Sequence, residues 1–293
     1  LKIAEGCDKR CSYCIIPKIR GHFRSVPMEE LLNEAKRLAS EGVKELVLVA
    51  QETTLYGKDL TGEKQLPLLL HELCKIEGIE WIRLLYCYPE EITDELIKVI
   101  KTEEKVCNYI DMPIQHSENR ILQRMGRRTS REDLVAVIKK LRKEIPDITI
   151  RTTLITGFPG ESQEDHEGLM NFVEECQFDR LGVFTYSPEE DTPAAVMPDQ
   201  IAEEVKEERQ ADLMELQQEI AFDNAENMIG REMLVMIEGK VADENAYVGR
   251  TYRDAPNVDG LIFINTEEEL ISGDFAKVKI TGALEYDLIG ELL

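Results

Sequence analysis

The sequence predicts an α/β protein in which a partial barrel of six parallel strands and alternating helices precedes a small antiparallel β-barrel of five strands. Residues 1–222 alternate short apolar runs with segments of helical periodicity, as expected of strand–helix units that build a parallel sheet. Residues 223–293 alternate apolar and polar side chains between Gly, Asp and Asn turns, which is typical of a small β-barrel. We therefore expect two domains, 1–222 and 223–293.

The strands of the first domain are short apolar segments. Residues 46–50 form a continuous apolar run, as expected of a parallel strand that is buried on both faces. Because six strand–helix units fall short of the eight of a closed barrel, we expect an open or partial barrel. The six predicted strands are residues 1–4, 46–50, 82–86, 109–112, 148–155 and 181–186.

Helical periodicity fills the segments between these strands. Pro27 followed by Glu29 and Glu30 favours a helix start, because proline suits the first turn and acids there interact well with the helix dipole. Thr129 and Glu132 have the spacing of a capping box. Further helices are predicted over residues 93–101, 130–144 and 162–176. A long helix is predicted from Pro198 to about residue 228, with a buried stripe formed by Ile201, Val205, Leu213, Leu216 and Ile220.

In the second domain the apolar residues recur with a period of two. This alternation indicates strands with one buried face. Five short strands are predicted over residues 233–237, 246–248, 260–264, 276–280 and 286–289.

Composition and charge exclude several classes of protein. The 293 residues contain 35 Lys and Arg against 58 Asp and Glu, a formal net charge of −23. This balance opposes a general nucleic-acid binder, which needs a basic face to neutralise phosphates. The sequence contains no run of about 18 apolar residues and no signal-peptide pattern. We expect a cytoplasmic protein with no membrane partner.

Three of the seven cysteines, Cys7, Cys11 and Cys14, lie within eight residues of one another. In a chain without secretory features such a group indicates metal binding rather than disulfides. Three thiolates on one loop can hold three irons of a four-iron cluster, which leaves the fourth iron open to a cofactor or substrate. The alternative is a zinc site with His22 as fourth ligand, in a non-catalytic interaction module. The remaining cysteines are predicted to be core residues: Cys74, Cys87, Cys107 and Cys176.

The cysteine loop follows the first predicted strand and carries Tyr13 directly before its last cysteine, and in this it resembles the radical S-adenosylmethionine (SAM) enzymes. The resemblance implies a partial (β/α)6 barrel, in agreement with the predicted strands. It implies that Cys7, Cys11 and Cys14 hold the catalytic [4Fe-4S] cluster, whose open iron chelates the methionine part of SAM. One electron then cleaves the sulfonium, and the resulting 5′-deoxyadenosyl radical abstracts hydrogen from an unactivated carbon.

Longer segments resemble the methylthiotransferase branch of this family. These are residues 6–17, 109–116 and 157–161, and the predicted β-barrel resembles the OB-like TRAM domain of the same branch. The branch normally carries a further N-terminal domain, with three cysteines for a second [4Fe-4S] cluster. Because this sequence starts only six residues before Cys7, we expect that domain and its cluster to be absent from it.

The resemblance to this branch leaves two possible classes of substrate open. One branch enzyme methylthiolates a tRNA adenosine, and another the β-carbon of an aspartate in the twelfth small-subunit ribosomal protein. Residues 223–293 contain 15 acids and 6 bases, a charge that repels phosphates and attracts a basic ribosomal protein. Residues 50–57, 85–89 and 182–190 are also more similar to the ribosomal-protein enzyme. We expect that substrate, with tRNA as the alternative, and an electron donor such as a flavodoxin or ferredoxin.

Further SAM-binding residues are expected at the carboxyl ends of the strands, where parallel sheets bind their ligands. Gln51 and Glu52 follow the second strand, and the corresponding family motif accepts a hydrogen bond from the SAM ammonium group. Arg151 lies in an apolar strand and needs a carboxylate partner, either that of SAM or one of the protein. The remaining candidates for SAM binding are Tyr13, Gln115, Gly157, Gly160, Glu161 and Tyr186.

Overall fold

The structure is a computed structural model that describes residues 1–242 and 245–293. These residues form two compact units, Leu1–Leu216 and Gln217–Leu293. The units divide within one long helix, Glu203–Glu226, and the boundary at 222/223 proposed from the sequence lies in the same helix. No helix in the described part of the chain combines the length and apolar character needed to cross a membrane.

Short strands alternate with helices along the first unit, and the long helix follows them. The elements are β1 (Ala4–Glu5), α1 (Ile16–Arg20), β2 (Arg24–Ser25), α2 (Met28–Ser40), β3 (Glu45–Leu48), α3 (Lys58–Thr61), α4 (Leu66–Cys74), β4 (Trp81–Leu84), α5 (Asp94–Thr102), β5 (Val106–Asp111), α6 (Asn119–Arg124), α7 (Arg131–Glu144), β6 (Thr149–Thr156), α8 (Gln163–Cys176), β7 (Arg180–Thr185) and α9 (Glu203–Glu226).

A parallel sheet with the strand order β3-β4-β5-β6-β7 forms the centre of the first unit. The N-terminal segment extends this sheet beside β3, because the Ile3 amide donates to the Val49 carbonyl at 3.0 Å and the Val49 amide donates to the Leu1 carbonyl at 3.1 Å. Lys2 and Val49 accordingly form a parallel bridge. The predicted partial barrel of six parallel segments is confirmed. Its carboxyl ends share one edge of the sheet, where the loops meet.

One predicted helix cap is wrong by a single residue. The capping box of α7 is formed by Ser130 and Asp133, since the Asp133 amide donates to Ser130 Oγ at 3.2 Å and the Ser130 amide donates to Asp133 Oδ2 at 3.0 Å. Thr129 instead donates its hydroxyl to Glu90 Oε2 at 3.0 Å. A tertiary contact therefore decides between two neighbouring residues with similar capping ability.

The predicted buried stripe of α9 is partly wrong. Leu213 and Ile220 are buried as expected. The other predicted positions are only half-buried: Ile201, Val205 and Leu216. The buried face is completed by long polar side chains that apolar periodicity does not reveal: Lys206, Arg209 and Gln217.

The second unit is a closed barrel with the strand order β10-β12-β11-β8-β9. Its strands are β8 (Glu232–Lys240), β9 (Ala246–Arg250), β10 (Ile262–Asn265), β11 (Phe275–Ala283) and β12 (Leu288–Leu292). The predicted five strands are confirmed, but the barrel is not purely antiparallel, because β10 and β12 run parallel. An odd number of strands cannot alternate in direction around a closed ring, so at least one pair must be parallel. Buried Val235, Ile264 and Val278 belong to its core.

Candidate active site

The three cysteines of the predicted cluster lie on the loop between β1 and α1. Cys7 and Cys11 are buried and Cys14 is half-buried. All three line one cavity of about 400 Å³. The cavity is also lined by residues that follow β3 and β4, namely Val49, Ala50, Gln51, Tyr86 and Tyr88. The cysteine loop therefore covers the carboxyl edge of the sheet, where ligands of such sheets bind.

Gly6 directs the chain into the cysteine loop. Its φ of +80° is left-handed, and a Cβ at this position would lie 2.2 Å from the His22 carbonyl oxygen. The Cys7 amide donates to the Gly21 carbonyl at 3.1 Å. The Gly6 amide donates to Gln51 Oε1 at 2.6 Å. The predicted residue Gln51 thus supports the loop as well as lining the cavity.

The segment after α6 holds the other side of the loop. The Ser12 amide donates to the Met125 carbonyl at 2.9 Å, and Ser12 Oγ donates to the Arg124 carbonyl at 2.7 Å. A Cβ at Gly126 would lie 2.6 Å from the Arg10 carbonyl oxygen. The loop is therefore fixed from two directions by contacts that do not involve the thiol groups.

The donor set of the first cavity fits a cluster with three protein ligands. Among the described residues that line it, no His, Asp, Glu or fourth Cys is present. Burial raises the pKa of the Cys7 thiol to about 11 and also raises the pKa of Cys14. The reactive thiolate forms therefore need a cation to stabilise them. A [4Fe-4S] cluster supplies that cation and binds three thiolates with one iron left open.

Among the described residues, His22 is not placed to act as the fourth ligand of a zinc site. The His22 side chain is 99% exposed, and its Nδ1 lies 2.7 Å from Asp8 Oδ1. Across residues 1–242 and 245–293, no three His, Cys, Asp or Glu side chains are placed to hold a single metal ion. A closed zinc site requires four such ligands around one ion. The geometry favours the cluster.

Lys9, in the cysteine loop, lies close to three carboxylates. Its Nζ lies 2.7 Å from Glu91 Oε1, 3.3 Å from Glu90 Oε1 and 3.7 Å from Glu52 Oε2. These pairs are partly buried, so salt screens them less than it screens surface ion pairs. Lys9 joins the loop to the segments that follow β3 and β4. A lone lysine gives no signal of this role in the sequence.

Tyr88 packs against the same loop and approaches Cys11, a predicted cluster ligand. Its hydroxyl lies 3.6 Å from Cys11 Sγ. The Lys9 Nζ is 4.7 Å from the centre of its ring, and the Arg127 guanidinium is 4.3 Å from it, which is within cation–π range. Hydrogen bonds to the sulfurs are among the contacts that set the reduction potential of a cluster. The sequence does not single out Tyr88 for these contacts.

The predicted residues Gln51 and Glu52 have different environments. Gln51 lines the first cavity, whereas Glu52 is buried beside it and accepts a hydrogen bond from Thr54 Oγ1 at 3.1 Å. Burial raises the pKa of Glu52 to about 7, and the nearby charge of Lys9 only partly opposes this. Contact of either residue with the SAM ammonium group stays a prediction.

The raised pKa of Glu52 predicts a pH-dependent stability. Folded Glu52 keeps its proton up to a pH of about 7, whereas the unfolded side chain loses it near a pKa of 4.5. The native state binds more protons between these values, so the stability of the wild type falls as the pH rises through this range. Relative to Glu52→Gln, we expect a loss of about 3 kcal/mol, measured by urea unfolding of the apoprotein. A stability difference that stays constant with pH would contradict this.

A second cavity, of about 340 Å³, adjoins the first. The two cavities share Cys14 and Ile16 in their walls. Three predicted SAM-binding residues line the second one: Tyr13, Gln115 and Tyr186. The Tyr186 hydroxyl is buried and has no hydrogen-bond partner within the described part of the chain. A buried hydroxyl of this kind calls for a water or a ligand.

Two non-glycine residues at the strand ends have left-handed backbones. They are Tyr86, with φ of +59°, and Gln115, with φ of +74°. The Tyr86 amide donates to Asp111 Oδ2 at 3.0 Å, and the Tyr86 carbonyl accepts from the Thr53 amide at 3.1 Å. The Gln115 amide donates to the Thr153 carbonyl at 2.9 Å. Strained residues of this kind concentrate at functional sites, and each of these two lines one of the cavities.

Besides Glu52, four predicted SAM-binding residues do not line these two cavities in the part of the chain described. They are Arg151, Gly157, Gly160 and Glu161. Of the two partners left open for Arg151, the structure supplies a protein carboxylate, since Arg151 Nη1 donates to Asp111 Oδ1 at 2.8 Å. Contact of these residues with SAM stays a prediction.

The absence of a side chain at the two glycines after β6 allows side chains from elsewhere in the protein to pack against this loop. A Cβ at Gly157 would lie 2.3 Å from Lys206 Cγ, and a Cβ at Gly160 would lie 3.0 Å from the Arg124 guanidinium. Both glycines have left-handed φ values, +69° and +83°. Glu161 follows directly and is buried. The loop is therefore packed on the side where these side chains approach.

Sequence comparisons agree with this architecture. The Radical SAM superfamily model matches residues 1–173, and the TRAM domain model matches residues 229–293. The first match spans more than half of the chain and contains the cysteine loop and most of the parallel sheet. The chain belongs to the radical SAM superfamily.

Within this superfamily the chain is similar to proteins named ribosomal protein uS12 methylthiotransferase RimO. It is 66% identical over 290 residues to that of Lachnoclostridium phytofermentans, covering 99% of this chain and 66% of the relative. It is 56% identical to that of Clostridium perfringens, with 99% and 64% covered, and 51% identical to that of Alkaliphilus oremlandii, with 100% and 67% covered. The chain thus spans about two thirds of the length of these curated relatives.

Solved structures support the fold. The radical SAM methyltransferase TsrM from Kitasatospora setae, with cobalamin and a [4Fe-4S] cluster bound, has a TM-score of 0.56 and 18% identity and covers 67% of this chain and 38% of its own. Coproporphyrinogen III oxidase (HemN) from Escherichia coli has a TM-score of 0.55 and 18% identity, with 76% and 52% covered. At these identities the likeness concerns the fold alone.

Proposed function

We propose that this chain is the catalytic part of a radical SAM methylthiotransferase that modifies the β-carbon of an aspartate in uS12, the twelfth small-subunit ribosomal protein. The observation that carries the proposal is the similarity to RimO relatives along the chain, at up to 66% identity. The three-cysteine loop, with two adjoining cavities, supports it. The chain spans about two thirds of the length of those relatives.

In this proposal Cys7, Cys11 and Cys14 hold a [4Fe-4S] cluster, and SAM occupies the second cavity. When bound, the cluster supplies the electron that cleaves SAM, so that the 5′-deoxyadenosyl group can remove a β-hydrogen from the substrate. The chain itself holds and encloses the ligands. Cys14 lies in the walls of both cavities, and Tyr186 lines the second one.

The proposal includes two components outside this sequence. A second [4Fe-4S] cluster would be held by a further part of the enzyme and would supply the sulfur species for methylation by one SAM molecule, while another SAM molecule would serve hydrogen abstraction. A flavodoxin or ferredoxin supplies the electrons. The family resemblance supports both components.

The acidity of the second unit supports a protein substrate. Residues 223–293 carry 15 acids and 6 bases, a balance that attracts a basic ribosomal protein and opposes the binding of tRNA phosphates. We accordingly place the reaction in the cytoplasm, where ribosomal proteins are made. The tRNA substrate remains the alternative outcome of the test.

Transfer of deuterium from the aspartate β-carbon of uS12 to 5′-deoxyadenosine tests the proposal with this chain alone. The chain is reconstituted anaerobically with iron and sulfide and incubated with SAM, dithionite and uS12 that carries deuterium at the β-carbons of its aspartates. We expect mass spectrometry to find deuterium in 5′-deoxyadenosine, because hydrogen abstraction needs only the cluster held by the three cysteines.

Matched uS12 with glutamate in place of the target aspartate is the control, and it should yield 5′-deoxyadenosine without deuterium. Stimulation of SAM cleavage by a tRNA anticodon stem-loop, with no deuterium transfer from uS12, would contradict the proposed substrate and favour the tRNA enzyme.

A further inference from the structure

The amino-terminal half of α9 places two cations against the loop that follows β6. Lys206 is 4% exposed and Arg209 is 6% exposed. Burying such charges is costly unless they are well paired. Their hydrogen-bond partners include oxygen atoms of that loop and of the residue after β7. These contacts offset the free-energy cost of burying the two cations.

Lys206 holds the end of β7. Its Nζ donates to the Tyr186 carbonyl at 2.8 Å and to Glu203 Oε2 at 2.9 Å, and it lies 5.5 Å from the centre of the Tyr186 ring. Its methylene stem crosses Gly157, where a Cβ would collide with it. Gly157 is therefore required by a protein side chain that lies against the loop.

Arg209 holds the loop itself. Its Nη1 donates to the Glu161 carbonyl at 3.1 Å and to Glu161 Oε1 at 2.9 Å. The other carboxylate oxygen accepts from the Phe158 amide at 3.2 Å and lies 3.5 Å from His116 Nε2. Burial works to raise the pKa of Glu161, but the contacts with His116 and Arg209 outweigh it and lower that pKa. Glu161 is thus an ionised anchor at the end of the loop.

Both cations are connected to the wall of the second cavity. The Phe158 ring packs edge-on against the Tyr186 ring with 5.3 Å between the ring centres. The Tyr186 amide donates to the Thr156 carbonyl at 2.8 Å, and Tyr186 lines the cavity. A shift of the loop, or of the end of β7, would therefore move this wall.

We propose that Lys206 and Arg209 are positioning residues for SAM, which act from α9 by fixing residues 157–161 and Tyr186 and thereby the wall of the second cavity. The inference rests on the proposed function, which places SAM in the second cavity. Both residues act through others, because neither of them lines that cavity in the described part of the chain.

The test compares Lys206→Met and Arg209→Met with Glu208→Gln, which alters a charge on the exposed face of the same helix. Equilibrium dialysis gives the Kd of the reconstituted chain for SAM, and SAM cleavage at saturation gives kcat. We expect each Met variant to raise Kd about tenfold or more, with a smaller change in kcat. Arg209→Lys, which keeps a cation, should recover part of the affinity, and Glu208→Gln should bind as the wild type does.

Unchanged SAM affinity in both Met variants, or an equal loss in Glu208→Gln, would overturn the inference. If a Met variant does not fold, hydrogen exchange of the wild-type chain decides. SAM is then expected to slow amide exchange in residues 157–161 and 203–210 together, and a lack of protection in 203–210 would overturn the inference. Failure of the proposed function has a different signature, namely a wild-type chain that binds SAM but transfers no deuterium from uS12.

Discussion

Replacement of Cys11 by alanine is expected to abolish both the iron–sulfur cluster and the cleavage of SAM. The Cys11 thiol is one of three that line the first cavity, and no other Cys, His, Asp or Glu among the described lining residues can replace it. In a [4Fe-4S] cluster with one open iron, the other three irons each need a protein ligand, and two thiolates cannot supply three. We expect 5′-deoxyadenosine formation to fall on the order of 10³-fold or more, as when a group essential to the chemistry is removed.

Cys176→Ala is the matched control for this experiment. Cys176 is also buried but lies on α8, outside the cysteine loop. Its loss removes one buried sulfur atom, at a cost of about 1 kcal/mol, and leaves the cluster ligands intact. Iron content, visible absorption after anaerobic reconstitution and 5′-deoxyadenosine formation are measured for both variants. A Cys11→Ala protein that retains its iron and still forms 5′-deoxyadenosine would refute the assignment.

The parts of the fold and site that depend on local patterns could be predicted from the sequence. Residues 46–50 are apolar throughout because β3 lies between β4 and the N-terminal segment. The cysteine spacing was informative because three ligands of one cluster can share one short loop. Cys87, Cys107 and Cys176 are buried as predicted. Cys74 is only half-buried, which an isolated cysteine in an apolar helix does not reveal.

Features that depend on distant partners could not be predicted. Burial of Lys206 depends on Gly157 and Tyr186, which lie 49 and 20 residues earlier in the sequence. A charged residue on a helix normally indicates an exposed face, so Lys206 and Arg209 did not suggest a buried role. The parallel β10–β12 pair follows from the closure of the barrel, which strand periodicity does not encode.

Replacement of Gly6 by alanine is expected to prevent cluster assembly through two separate penalties. The left-handed φ of +80° alone costs a residue with a Cβ roughly 1–2 kcal/mol. The new Cβ would also lie 2.2 Å from the His22 carbonyl oxygen and 2.6 Å from that of Gly21. The Gly21 oxygen accepts a hydrogen bond from the Cys7 amide, so it cannot retreat without moving Cys7, a proposed cluster ligand. Together these effects should cost about 4 kcal/mol or more.

Gly42→Ala separates the two penalties. Gly42 also has a left-handed φ, +92°, but a Cβ there meets no atom of the described residues within 4 Å, so only the conformational cost of roughly 1–2 kcal/mol applies. Urea unfolding and iron content after reconstitution are measured for both variants. If the Gly6→Ala chain relieves the clash by shifting the cysteine loop, its stability recovers but the thiols no longer converge on one cavity. Cluster loss is thus expected by either route, and normal iron content in Gly6→Ala would contradict the geometry assigned to the loop.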